Sequence, residues 1–173
     1  MKDFHTIYFS FIHDADEKSR SESERVLADS KDPYIKELYE AGKGIGKIVR
    51  HEDADPAALD SAVESMKRLP LLDYWKGFIE ISGQVVIGKA LSVGDKERRR
   101  ELLARGLKML SVATFGAFPL SDYSRDMIRK ARLAEPSLAE NADAILMSIK
   151  GFEQWKPKER AVRPRAEWKK SVA

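Results

Sequence analysis

No cysteine occurs among the 173 residues, so structural disulfides, zinc–thiolate centres and thiol nucleophiles are all excluded. Histidine is almost as scarce. His5, His13 and His51 are the full set, too few and too dispersed for a three- or four-ligand metal centre, although His13 and Glu17 have a spacing that puts two ligands on one helix face. No Glu-x-x-His is present, which removes the ligand signature of a ferritin-like di-iron bundle. The Gly-x-Ser-x-Gly elbow of a serine hydrolase is missing too. No apolar stretch approaches the roughly 20 uncharged residues that span a bilayer. The opening MKDFHTIYFSFIHDAD has neither a basic start nor a small-residue cleavage site. The expectation is a cytoplasmic protein with no membrane association and no cofactor.

What is abundant is charge, 34% of the chain, with a net value of only +3. Its distribution is uneven. From Lys156 onward, Lys156, Lys158, Arg160, Arg163, Arg165, Lys169 and Lys170 face only Glu159 and Glu167, so the basic character lies in the tail and the body is close to neutral. Pro157 and Pro164 also interrupt any helical pattern there. The chain therefore divides into a helical bundle over 1–155 and a basic, flexible segment over 156–173.

The bundle is organised around Leu71 to Val93, LLDYWKGFIEISGQVVIGKALSV. Leu72, Trp75, Phe78, Ile79, Val85, Val86 and Ala90 recur at helical spacing, and Asp73, Lys76 and Glu80 are placed to pair along an exposed face. The competing pattern within Phe78 to Lys89 is a hairpin, with FIEIS and VVIGK as strands turning at Gly83-Gln84. Elsewhere the helix signals are consistent. Phe4, Ile7, Tyr8, Phe11 and Ile12, widened by Phe9, predict a deeply packed first helix; the polar DADEKSRSESER beyond it fits either a continued helix or a break before a second one. Asp32-Pro33 and Asp55-Pro56 each combine a capping carboxylate with a proline suited to the first helical position. The helices they start carry Tyr34, Ile35, Leu38, Tyr39, Gly42, Ile45 and Val49, then Leu59, Val63, Met66 and Leu69. Gly94 should end the central helix, and Asp95 should cap a partner bearing Leu102, Leu103, Leu107, Met109, Leu110 and Ala113. These two form an antiparallel hairpin with the general look of a tetratricopeptide pair, though without a repeat. Pro119, Ser121-Asp122 and a Ser137–Glu140 capping box delimit the remaining helices. The sum is an all-α bundle of about six or seven helices.

Three patterns offer chemistry. Gly42-Lys43-Gly44-Ile45-Gly46-Lys47 is the first; with Leu38, its Gly44, Ile45, Gly46 and Lys47 resemble a helix-hairpin-helix motif. That resemblance implies a turn whose amides, with Lys47, grip nucleic-acid phosphates without reading bases. Arg50 departs from the pattern where a small residue belongs, and Asp55-Pro56 would end the second helix early. The plainer account is that Gly42 and Gly46 admit another helix closely. No Ser or Thr follows Lys47, so a P-loop is excluded. Second, Glu37 and Glu40, with Glu52 and Asp55, resemble the paired carboxylates of all-helical nucleotide pyrophosphatases, which implies magnesium-dependent hydrolysis; a solvated face is the ordinary alternative. Third, Arg160, Arg163, Arg165, Lys169 and Lys170 beside Trp155 and Trp168 suit phosphate contacts with base stacking. Lys96 to Glu101 is a further basic cluster, self-compensated by Glu97 and Glu101.

None of these names a function. The best-supported expectation is a non-catalytic binding or assembly module that self-associates or takes a protein partner. Sequence-nonspecific nucleic-acid binding and metal-dependent nucleotide hydrolysis are the alternatives.

Overall fold

The computed structural model describes residues 3–13, 16–50, 56–69, 73–114 and 120–153. Among them there are eight α-helices, one 3₁₀ turn and no strand, so the all-α expectation holds. None of these helices is long and apolar enough to cross a membrane. The helices cluster into two compact units, one built from α1 to α4 and the other from α5 to α8.

In the first unit, α1 (Phe4–His13) buries Phe4, Ile7, Tyr8, Phe11 and Ile12. Phe9 is the departure from the fully packed helix expected. It stays 44% exposed and stacks on His13, with ring centroids 4.8 Å apart. The polar stretch that follows forms a separate helix, α2 (Glu17–Ala28). Asp16 starts it by accepting from the Ser19 amide at 2.9 Å, which satisfies one of the free N–H groups of the first turn. Two residues of α2 are buried, Ser23 and Leu27. Helix α3 (Pro33–Val49) begins as its sequence requires: Asp32 accepts from Tyr34 N at 2.8 Å and Pro33 occupies the first turn. Helix α4 (Pro56–Lys67) starts at the proline anticipated; its aspartate, Asp55, lies outside the described residues. Leu59, Val63, Met66 and Leu69 are all buried.

The second unit centres on α5 (Asp73–Leu91), a single helix through the segment where a hairpin was the rival. Gly83 lies inside it, not at a turn. Helix α5 packs against both α6 (Lys96–Ala113) and α7 (Asp122–Ala134), which explains why Ile87, Ser82 and Gly83 are buried besides Trp75, Phe78, Ile79, Val86 and Ala90 of the face read from spacing; Val85 is half-buried and Leu72 lies outside the described residues. Two covering helices leave little room for a solvated stripe, so Lys76 and Glu80 are only 8% and 7% exposed, contrary to the exposed face expected for them. Helix α5 stops at Leu91, three residues before Gly94, where Ser92 N and Val93 N close onto Lys89 O and Ala90 O. Asp95 caps α6 as anticipated, accepting from Arg98 N at 2.7 Å.

The α5–α6 hairpin depends on a backbone contact. A Cβ on Gly106 would lie 2.5 Å from Ile87 Cγ1 and 3.3 Å from Gly83 O; one on Gly83 would lie 2.7 Å from Leu110 Cδ2 and 3.2 Å from Gly106 O. Both positions therefore exclude any larger residue without a shift of the helices. Ser121 caps α7 by accepting from Ser124 N at 3.2 Å. The 3₁₀ turn (Pro136–Leu138) then leads into α8 (Ala139–Glu153). Here the expected capping box is replaced: the Ser137 hydroxyl donates to Glu135 at 2.5 Å, and that bond draws the Glu135 carboxyl below its ordinary range.

Candidate functional site

Helix α3 carries Glu40, Lys43, Gly44 and Lys47, with Arg50 as its C-cap, and steps of three and four put these residues on neighbouring rows of one face. That face meets Arg20 and Glu24, one turn apart on α2, and Ala58 and Ser61 on α4. With Phe11 of α1 they line a cleft of about 370 Å³. Small-molecule sites occupy roughly 300–1,000 Å³, so this one lies at the small end of the range. Its floor is close-packed because Gly44 lets α4 approach: a Cβ there would stand 2.9 Å from the backbone oxygen of Ala58.

Among the described residues, four cations and two carboxylates face this space. The Lys43 ammonium pairs with Glu40 at 2.5 Å and lies 5.0 Å over the Tyr39 ring, a cation–π distance. The Tyr39 hydroxyl donates to Glu24 at 3.0 Å. Burial pushes the Tyr39 phenol above its usual pKa, and the Glu24 carboxylate pushes it the same way, so that donor stays protonated at neutral pH. The Arg50 guanidinium donates to the Phe11 carbonyl at 3.3 Å. Arg20 and Lys47 make no ion pair among the described residues. The described lining is thus cationic in balance, with two of its cations held by partners.

No protein-family model, curated protein or solved structure matches the chain.

The residues singled out by sequence are distributed unevenly. Gly44 and Lys47 do line the cleft. Ile45 is wholly buried, and Gly46 is covered by Arg50 of its own helix, whose Nη1 would stand 2.5 Å from a Cβ at that position. The helix-hairpin-helix turn is a correction: all four residues sit inside the unbroken α3, where amides are committed to the helix ladder and cannot grip a phosphate. The close-approach account holds for Gly42, whose Cβ would lie 2.7 Å from Phe11 Cε1, and for Gly44, but not for Gly46. Glu37 and Glu40 have separate partners. Glu37 accepts from Arg68 at 2.8 Å, Glu40 pairs with Lys43, and the described residues contain no group of three or more carboxylates or histidines able to hold a metal ion. Arg160, Arg163, Arg165, Lys169 and Lys170, with Trp155 and Trp168, lie outside the described residues, as do His51, Glu52 and Asp55.

Sequence reasoning missed Arg20 and Glu24, hidden in a helix that is polar nearly all round, and it missed a second polar centre in the unit of α5 to α8. There the buried Glu80 Oε1 accepts from Ser121 N at 2.7 Å, Ser121 Oγ at 2.5 Å and Ser124 Oγ at 2.6 Å. Gln84 Nε2 donates to Ser124 Oγ at 2.8 Å, and Lys76 Nζ stands 3.6 Å from Glu80 Oε2. A carboxylate at a helix start is favoured by the free amides and by the dipole. This centre therefore fastens α7 to α5. The signal available in sequence was a charged pair four apart inside an apolar run, since buried charges require partners.

Proposed function

We propose that this chain is a non-catalytic helical binding module that holds a small ligand in the cleft between α1, α2, α3 and α4. The observation that carries the reading is the composition of that cleft: cations and carboxylates from α2 and α3 around a close-packed floor of Phe11, Gly44 and Ala58. Its side chains are arranged to grip rather than to react. Among the described residues, Ser61 is the one hydroxyl lining it and no histidine does so, so the nucleophile–base pairing of covalent catalysis is not represented in the described lining.

Thermal unfolding of the full chain against panels of anionic, cationic and neutral small molecules tests this. A ligand at a hundred times its Kd adds about 2.7 kcal/mol to stability, and Ser61→Trp, on an exposed lining position, should abolish the shift by filling the cleft. If no compound of any class shifts the transition, or if the shift survives Ser61→Trp, the proposal fails.

A second reading, self-association, is supported by Tyr123, Leu133 and Met147, which are 59%, 75% and 70% exposed on α7 and α8. The apolar surface of α1 around Gly42 of α3 is used inside the first unit, where Phe11 and Tyr8 pack on Gly42. Sedimentation of the full chain and of Leu133→Glu at high micromolar concentration would separate a monomer from an assembly closed through Leu133.

A further inference from the structure

We infer that the ligand of the cleft is a small phosphate ester, with its phosphate held by Arg20 of α2 and Lys47 of α3. This rests on the binding-module reading above and specifies the ligand class. Of the four cations that line the cleft among the described residues, Lys43 is neutralised by Glu40, and Arg50 is engaged with the Phe11 carbonyl. Arg20 and Lys47 have no ion pair among the described residues and approach from different helices. An Arg supplies a planar fork of donors that matches phosphate oxygens in pairs, and a Lys supplies a compact point charge. A group with two negative charges and several acceptor oxygens uses both. A single carboxylate uses only one well.

The rest of the cleft limits what the phosphate is attached to. Glu24 and Glu40 flank it, and the Tyr39–Glu24 hydrogen bond fixes one of them in place. Two carboxylates beside the cationic pair oppose a polyanion threading through, because each successive phosphate would meet like charge. They accept from hydroxyl groups instead, and Ser61 either donates or accepts. The volume of about 370 Å³ admits one phosphorylated sugar or mononucleotide and no length of nucleic acid. The chemistry favoured is a hydroxyl-bearing phosphate monoester.

The test is calorimetric titration of the full chain with ribose 5-phosphate, adenosine 5′-monophosphate, inorganic phosphate, citrate, ribose and a single-stranded oligonucleotide. It is repeated for Arg20→Gln, Lys47→Gln, Lys47→Arg and, as a control in the other unit, Lys108→Gln. Arg20, Lys47 and Lys108 are all at or near the surface, so the variants should retain the helical circular dichroism of the parent. Expected is saturable binding of the phosphate esters, weaker binding of inorganic phosphate, and a loss of roughly tenfold to a hundredfold in affinity for Arg20→Gln and Lys47→Gln. Lys47→Arg should recover most of that loss, and Lys108→Gln should not change it. Binding of the oligonucleotide alone, or esters bound equally by Arg20→Gln and Lys47→Gln, would overturn the inference. Binding of citrate or ribose without the esters, abolished by Ser61→Trp, would overturn the ligand class and leave the binding module standing. Silence from every probe here and from the whole compound panel would overturn both.

Discussion

Glu80 gives the sharpest test of how α7 is held. Replacing it with alanine removes the acceptor of three hydrogen bonds, from Ser121 N, Ser121 Oγ and Ser124 Oγ, all between 2.5 and 2.7 Å. Bonds to a charged acceptor contribute about 1.5–3 kcal/mol each but do not add. Truncating one partner of a buried charge pair costs about 3–5 kcal/mol. Glu80→Ala should therefore cost about 3–5 kcal/mol, because Ser124 is fully buried and its hydroxyl would lose its acceptor. Glu80→Gln keeps an acceptor oxygen near the α7 amides and loses the charge, so about 1.5–3 kcal/mol is expected. Lys76→Met should cost least, about 1 kcal/mol or less, since its 3.6 Å contact is long and the α7 amides and hydroxyls already solvate the carboxylate. Urea denaturation followed by tryptophan fluorescence gives the three values, because Trp75 is buried in α5, and hydrogen exchange of the α7 amides localises the loss. A cost for Lys76→Met equal to that for Glu80→Ala would show that the ion pair, and not the cap, holds the helix. A cost below about 1 kcal/mol for Glu80→Ala would refute the argument altogether.

Other substitutions separate packing from propensity. Gly83→Ala and Gly106→Ala gain helix propensity but force α5 and α6 apart, so each should destabilise by about 1–3 kcal/mol; Gly88→Ala, whose Cβ meets only Met127 Cε at 3.5 Å, should stabilise by about 0.5–1 kcal/mol in the same urea assay. Gly44→Ala should lower stability through the Ala58 oxygen and close the floor of the cleft, seen as weaker binding of whichever probe the parent binds. The Asp16 carboxyl is drawn below the ordinary aspartate range, first by the Ser19 amide and then by the Ser19 hydroxyl. Its contribution is present above the unfolded aspartate pKa and is lost as pH falls through the lower folded value. Exchange of the first α2 amides should therefore accelerate below about pH 4, and Asp16→Ala should remove that acid step; an unchanged profile in the variant would discount the cap.

Much of this fold was legible because its cues are local. Asp32-Pro33, Asp95 and Ser121 start helices where the chain says they do, and the apolar positions of α4 and α6 are buried as their spacing requires. What local reading could not supply was the number of neighbours each helix meets. Lys76 and Glu80 have the spacing of an exposed i,i+4 pair, and it is a second covering helix that turns them inward; the apolar run around them was the one cue to that burial. The Gly-Ile-Gly segment illustrates the same limit. Glycines permit a turn and equally permit a close crossing, and the choice depends on Ala58, fourteen positions beyond Gly44 in the chain. The cleft was half visible: Gly44 and Lys47 stood out as a motif, whereas Arg20 and Glu24 are indistinguishable in sequence from the other charges of α2.

The glycine crossing between α5 and α6 also restricts motion. Where side chains interdigitate, helices slide by small rotamer changes, each of low energy. At Gly83 and Gly106 there is no side chain to yield, and each backbone oxygen lies 3.2–3.3 Å from where the other residue's Cβ would be. Displacement along either axis brings Leu110 or Ile87 against the opposite backbone within a fraction of a turn. The hairpin thus has a fixed register and behaves as a single stiff lever, leaving rearrangement within this unit to α7, α8 and the Glu80 fastening.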